Sequence, residues 1–194
     1  MYALLFWLAA APPPDFVDLA ERIPTLALHI GYATPDNFTG AVLPGYDGQR
    51  AWMLAPAAAA LALVQQDLQA QGLGLLVYDA YRPHRASQAM LEWARRENKV
   101  DLFKQGYISS RSGHNHGHTV DLTIVDKTGT PLDMGTPWDT LDTRANTENA
   151  TGHALENRHL LQRAMRARGF HSYAKEWWHF TFTLEGTQPR DVPY

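Results

Sequence analysis

Residues Thr119 to Val125 read TVDLTIV, and the run stops at Asp126-Lys-Thr-Gly129. Apolar and polar side chains alternating with period two mark a strand whose two faces meet different surroundings. The stop has the composition of a hairpin-like turn. Upstream, Leu73 to Tyr78 (LGLLVY) is a second β-compatible run, ended by Arg82-Pro83; downstream, Trp177 to Leu184 (WWHFTFTL) is the last strand. Helices are predicted between them. Pro56 to Gln71 holds strong helix formers, with Pro near the start and Gly72 just past the end. His84 to Glu97 puts Ala86, Met90 and Trp93 on one face, and Asn157 to Arg168 is a basic amphipathic helix stopped by Gly169. Residues 15–50, rich in Gly, Pro, Asp and aromatics, read as short strands and loops. No repeat or linker divides the chain. The predicted fold is α+β, a single domain over 15–194 with a mostly antiparallel sheet packed by helices.

The 194 residues include 17 Lys plus Arg against 20 Asp plus Glu, a net charge of -3 with neutral histidines. That balance gives no electrostatic case for binding nucleic acid. The absence of cysteine removes disulfides, thiolate zinc fingers and cysteine nucleophiles, so a metal site must use His, Asp and Glu. Nine histidines are available. At the N-terminus, Tyr2 to Ala11 is apolar and meets Pro12-Pro13-Pro14. The run is too short for a membrane-spanning helix, which takes ~20 residues. It fits the hydrophobic part of a secretory signal, although no Lys or Arg precedes it and the prolines disfavour cleavage. Residues 1–14 are therefore expected to be a signal or N-terminal extension, and the protein periplasmic or exported. The alternative is a cytoplasmic protein whose first residues pack as a strand or helix. No other stretch is long and apolar enough to cross a membrane.

Two clusters can carry chemistry: Ser112-Gly-His114-Asn-His116-Gly117-His118-Thr-Val-Asp121 and Glu176-Trp-Trp-His179. Without cysteine, a catalytic zinc takes imidazole and carboxylate ligands and keeps one corner open. His114, Asp121 and His179 supply two imidazoles and a carboxylate, and Glu176 is close enough to lie over the open corner as a base. Zinc brings the pKa of a water near ~7, and a neighbouring carboxylate can take that proton. In a plain strand, Glu176 and His179 would point to opposite faces. An irregular segment is therefore expected between them, with regular pairing only from about Trp178. Histidines 114, 116 and 118 also read as an HxHxH strand motif, but Gly117 argues against a regular strand there, and the HExxH helix is absent. His116 and His118 read as loop or supporting residues, and His29, His84, His153, His159 and His171 as surface or helix-face residues.

Taken together, Ser112-x-His114-x-x-Gly117-x-x-x-Asp121 and Glu176-x-x-His179 resemble the VanX-type D-alanyl-D-alanine dipeptidases, a zinc peptidase family that includes related D,D-carboxypeptidases. Tyr32-Ala-Thr-Pro-Asp-Asn-Phe-Thr-Gly40, Pro44-Gly-Tyr46 and Tyr78-Asp-Ala-Tyr-Arg82-Pro83 are similar to its other signature segments, in its order. The resemblance spans roughly residues 16–184. It implies one zinc per chain, in a central cleft, on His114, Asp121 and His179, with Glu176 as catalytic base. It implies that Arg82 polarises the scissile carbonyl and stabilises the oxyanion, which suits an always-charged guanidinium with donors in a fixed fork. Ser112 and Gly113 match positions beside the substrate carboxylate, Asp139 the carboxylate that meets the substrate amine, and Tyr32 and Tyr46 aromatic positions lining a small pocket. The implied substrate is D-Ala-D-Ala. A D,D-carboxypeptidase acting on stem peptides, or a non-catalytic zinc-stabilised domain, are the alternatives. Three departures bear on substrate preference: Thr119 where the family often has a small residue, Gly113 where it often has Ser, and Pro35 at a position that can be aromatic.

Overall fold

A computed structural model describes residues 11–194. The export segment expected at the N-terminus falls almost wholly on residues 1–10, outside the described residues. The main sheet has five strands in the order β2(Ala27–Leu28), β4(Gly74–Asp79), β5(Thr119–Val125), β7(Glu176–Phe182), β6(Phe170–Tyr173). Only β2 and β4 run parallel; every other pairing is antiparallel. A separate two-stranded ladder joins β1(Phe16–Asp18) to β3(Trp52–Leu54). The helices are α1(Leu19–Arg22), α2(Ala55–Gln69), α3(His84–Arg96), α4(Asp101–Gln105) and α5(Gly152–Arg166).

The α+β fold with a mostly antiparallel sheet is as expected, and so are the bounds of β5. Its alternation has a different origin from a half-solvated strand, because β5 is central and every one of its residues is buried. On its polar face, with Thr119 and Thr123, Asp121 lines a cavity inside the protein. Val120, Leu122 and Ile124 point the other way and join the core. α2 packs against β4, α5 packs against β5, β6 and β7, and the two helices touch each other. On α3, Ala86, Met90 and Trp93 are buried as their spacing predicts.

Several elements differ from expectation. After Val125 the turn forms, with Gly129 N–H donating to Asp126 O at 2.9 Å, but the returning chain makes only one bridge, Val125 to Pro131. β5 instead finds its partners in β4 and β7, more than forty residues away on each side. Helix α5 starts at Gly152, ahead of the Asn157 expected from the amphipathic pattern. The short elements α1, α4 and β6 have too few residues to show a period.

Two irregularities place the site. Val77 pairs with Leu122 and Asp79 with Asp121, so Tyr78 is an extra residue bulged out of β4. A bulge re-aims the side chains beyond it, and here it brings Asp79 round to the face that carries Asp121. On the far side, Asp121 pairs with His179. Three neighbouring strands thus hold Asp79, Asp121 and His179 in one row.

Candidate active site

His114 enters the row from a short 3-10 turn, Gly113–His116. Ser112 caps it, its Oγ accepting from His114 N at 3.3 Å. Gly117 ends the turn at φ 79, and a Cβ there would collide with the ring of Phe16. Only glycine satisfies both conditions. The turn buries the His114 ring, which is 1% exposed. Its Nδ1 lies 2.7 Å from Ala80 O. A carbonyl can only accept, so Nδ1 carries the proton and Nε2 presents its lone pair. That Nε2 is 3.1 Å from Asp121 Oδ1 and 3.3 Å from His179 Nδ1, and the last two atoms are 3.1 Å apart.

These three donor atoms meet the demands of zinc. A tetrahedron with metal–ligand bonds of about 2.1 Å has edges of about 3.4 Å, close to the observed separations. Among the described residues, His114, Asp121 and His179 are the group of His, Asp and Glu side chains that converges on a single point. In the metal-free chain, burial alone would raise Asp121, but the hydrogen bonds and charges of His114 and His179 outweigh it and hold the carboxyl well below its usual range. Burial alone would lower His179, and Asp121 and Glu176 overcome it to raise the imidazole.

Glu176 Oε2 is 3.5 Å from His179 Nδ1. The expected irregularity brings the two together: Tyr173 pairs with Glu176 and Ser172 with Phe180, so Trp177 to His179 leave the β6 ladder. Regular pairing with β5 begins at His179. Glu176 is 8% exposed, and burial, with the charges of Asp121 and Asp139, pushes its carboxyl up to about 8. In the metal-free chain that burial favours the protonated form. The position of Glu176 in the cavity beside the ligand point is what places it for general-base work.

Arg82 is held by Asp79. Its Nε and Nη2 donate to Asp79 Oδ2 at 3.0 and 2.8 Å, and Nη1 reaches only Met90 Sδ, a weak acceptor, at 3.4 Å. Nη1 is therefore open to a better acceptor in the cavity. Tyr32 lies under the guanidinium, 4.9 Å from ring centroid to Cζ. The Tyr32 hydroxyl donates to Asp139 Oδ1 at 2.7 Å, and Phe38 N–H donates to Oδ2 at 3.3 Å. Burial lifts Asp139 to about 7 against those two hydrogen bonds. Its partners lie outside its own loop, so Asp139 does not serve as a cap after Pro137.

A cavity of about 330 Å³ joins these groups and is lined by Tyr32, Arg82, Ser112, Gly113, His114, Asp121, Asp139, Glu176 and His179. Tyr46 corrects the expectation made for it. It does not line the cavity but supports it from behind, its hydroxyl donating to Asp79 Oδ1 at 2.6 Å. Pro35 also lies outside the cavity lining. His116 and His118 bond to Thr187 and Phe182 O, away from the ligand point. Two contributors escaped the sequence reading. Asp79 sits three residues before Arg82, a spacing that could have flagged it, and Trp138 Nε1 faces Asp121 Oδ2 at 3.5 Å with no sequence signal.

Residues 13–192 match the Peptidase_M15 family, described as D-ala-D-ala dipeptidase. The chain belongs to this dipeptidase family. It is 35% identical over 187 residues to the D-alanyl-D-alanine dipeptidase of Streptomyces coelicolor, covering 88% of this chain and 93% of that protein. With the D-alanyl-D-alanine dipeptidase of Escherichia coli K12 it shares 36% identity over 177 residues, 90% of this chain and 88% of the relative. In fold it is similar to the LdcB LD-carboxypeptidase, at TM-score 0.54 and 15% identity, over 90% of this chain and 70% of the other. Within this dipeptidase, the departures at 113 and 119 are coupled. A Cβ at Gly113 would lie under 3.0 Å from Thr119 Oγ1, whose hydroxyl pairs with Thr181 Oγ1 at 3.0 Å.

Proposed function

We propose that this chain hydrolyses free D-Ala-D-Ala to two D-Ala with one zinc ion held by His114, Asp121 and His179. The observation that carries the reading is the shared cavity: three converging ligand atoms, a carboxyl raised to about 8, an arginine donor and a recessed second carboxylate all line it. Zinc bound there would acidify a water and polarise the scissile carbonyl.

The protein's own groups do the rest. Asp139 meets the substrate ammonium, and Tyr32 fixes the carboxylate that receives it. Ser112 and neighbouring N–H groups face the substrate carboxylate. Glu176 takes the proton of the attacking water at Oε2 and returns it to the departing amine nitrogen as the C–N bond breaks. Arg82, fixed by Asp79, aims Nη1 at the carbonyl oxygen as negative charge develops there.

Purified, zinc-loaded protein should cleave D-Ala-D-Ala, leave L-Ala-L-Ala intact and act far more slowly on N-acetyl-D-Ala-D-Ala, which offers Asp139 a neutral amide. Equal cleavage of the free and acetylated forms, or preference for a D-Ala-D-Ala-terminated pentapeptide, would establish the carboxypeptidase reading in its place.

A further inference from the structure

Arg158, on α5, is 1% exposed, and Asp133 is the acidic group whose charge acts on its guanidinium. It is committed to backbone carbonyls. Nε donates to Met134 O at 2.7 Å, Nη1 to Asn146 O at 2.7 Å and Thr147 O at 3.5 Å, and Nη2 to Arg144 O at 3.1 Å. Met134 and Arg144 bracket the segment that carries Trp138 and Asp139. That segment touches the site at two points: Trp138 reaches Asp121, and Asp139 accepts from Tyr32. Asp139 itself stands at φ 66, in the left-handed region that aspartate enters more readily than most non-glycine residues. The neighbouring Asn157 adds a bond from its Nδ2 to Asp133 O at 2.8 Å.

We infer that Arg158 is a positioning residue for substrate recognition: by drawing both ends of segment 134–144 onto one guanidinium, it holds Asp139 where a dipeptide's ammonium meets it. The inference rests on the free-dipeptide activity proposed above. Geometry explains why arginine stands here. The carbonyls lie in different directions, and a planar fork with five donors reaches them together, whereas a lysine offers donors from a single nitrogen. Arg158 makes no hydrogen bond to the ligand set or to Glu176, so its influence passes through the segment that carries Trp138 and Asp139.

The test uses full-length, zinc-loaded Arg158→Lys and Arg158→Met. For each, kcat and KM are measured on D-Ala-D-Ala and N-acetyl-D-Ala-D-Ala, with zinc affinity and amide hydrogen exchange over residues 134–147. Arg158→Lys is expected to raise KM for the free dipeptide roughly tenfold while kcat changes less than about threefold, the signature of lost ground-state positioning. Its preference for the free over the acetylated substrate should shrink, zinc affinity should hold, and exchange over 134–147 should quicken. Arg158→Met should go further in the same direction; if it does not fold, Arg158→Lys decides. Wild-type KM, wild-type preference or unchanged exchange in Arg158→Lys overturns the inference, as does a parallel loss of zinc affinity and kcat. Wild-type protein inactive on D-Ala-D-Ala would instead defeat the proposed function, and the exchange measurement would then judge the clamp by itself.

Discussion

The hydroxyl of Thr119 fills the space that a side chain at Gly113 would enter. Gly113 opens the turn that delivers His114, so pressure at this point is transmitted to a proposed metal ligand. Overpacking a buried site of this kind costs about 1–3 kcal/mol. Gly113→Ser is expected to lose that much stability and to weaken zinc binding. Gly113→Ser combined with Thr119→Ala should recover most of both, as denaturant melts and zinc titration will show. Equal stability of the single variant and wild type would remove the coupling.

Glu176 is expected to show opposite effects on rate and stability. Glu176→Gln should lower kcat by about two to four orders of magnitude, the range for a general base, while zinc still binds. In the metal-free protein the sign is reversed. The folded state keeps the Glu176 proton up to about 8, whereas the unfolded chain releases it near 4.5. Stability therefore falls as pH rises through that window, and the full penalty is present above about 8. Glutamine carries no charge to bury, so metal-free Glu176→Gln should be more stable than wild type by about 1–3 kcal/mol at pH 8.5, and no different at pH 4. Melts at the two pH values check it.

Asp139 should imprint its own titration on substrate selection. Lifted to about 7, its carboxyl is neutral below that pH and loses its attraction for an ammonium. The kcat/KM for D-Ala-D-Ala is expected to fall as pH drops below about 7, with the loss carried by KM. Because the base Glu176 gives every substrate and variant an acid limb of its own, the effect is read in a ratio. That ratio, kcat/KM for the free over the acetylated dipeptide, should fall below about pH 7 in wild type and stay flat in Asp139→Asn. Matching profiles for the two substrates would assign the titration elsewhere.

In the proposed mechanism Arg82 acts on charge that exists only as the reaction proceeds, so Arg82→Ala should lower kcat far more than it raises KM. Arg82→Lys should not restore the rate, because one ammonium cannot both bond Asp79 and reach the carbonyl oxygen. Asp79→Asn keeps a hydrogen-bond acceptor but removes the charge that orients the guanidinium. It should lower kcat in the same direction as Arg82→Ala. A change confined to KM in all three variants would make this pair a binding device.

Much of the site was legible because its chemistry needs rare residue types at fixed spacing. With no cysteine present, histidines and carboxylates in the 112–121 and 176–179 segments had few competing uses. The strand at 119–125 was legible because polar and apolar residues alternate from Thr119 to Ile124 and most of the run is β-branched. Other features depend on contacts distant in sequence. Tyr46 looks like a pocket aromatic until the bulge at Tyr78 turns Asp79 toward its hydroxyl. Arg158 reads as one charge on a basic helix face, since nothing local signals that carbonyls from residues 134–147 will surround it. The strand Phe170–Tyr173 carries a single fully buried residue, too little pattern to detect.

The pairing of Asp121 with His179 across β5 and β7 has a biosynthetic consequence. The two proposed ligands are neighbours in space but lie on strands separated by the whole of α5 and β6, and β7 follows the other described strands in sequence. Translation therefore delivers the first two ligands well before the third, and the metal point closes only when the final strand docks. A nascent or prematurely ended chain that has folded β4 and β5 holds Asp79, Arg82, His114 and Asp121 but no complete set of ligands. Hydrolytic capacity is thus withheld until β7 has been made and docked, by strand order alone.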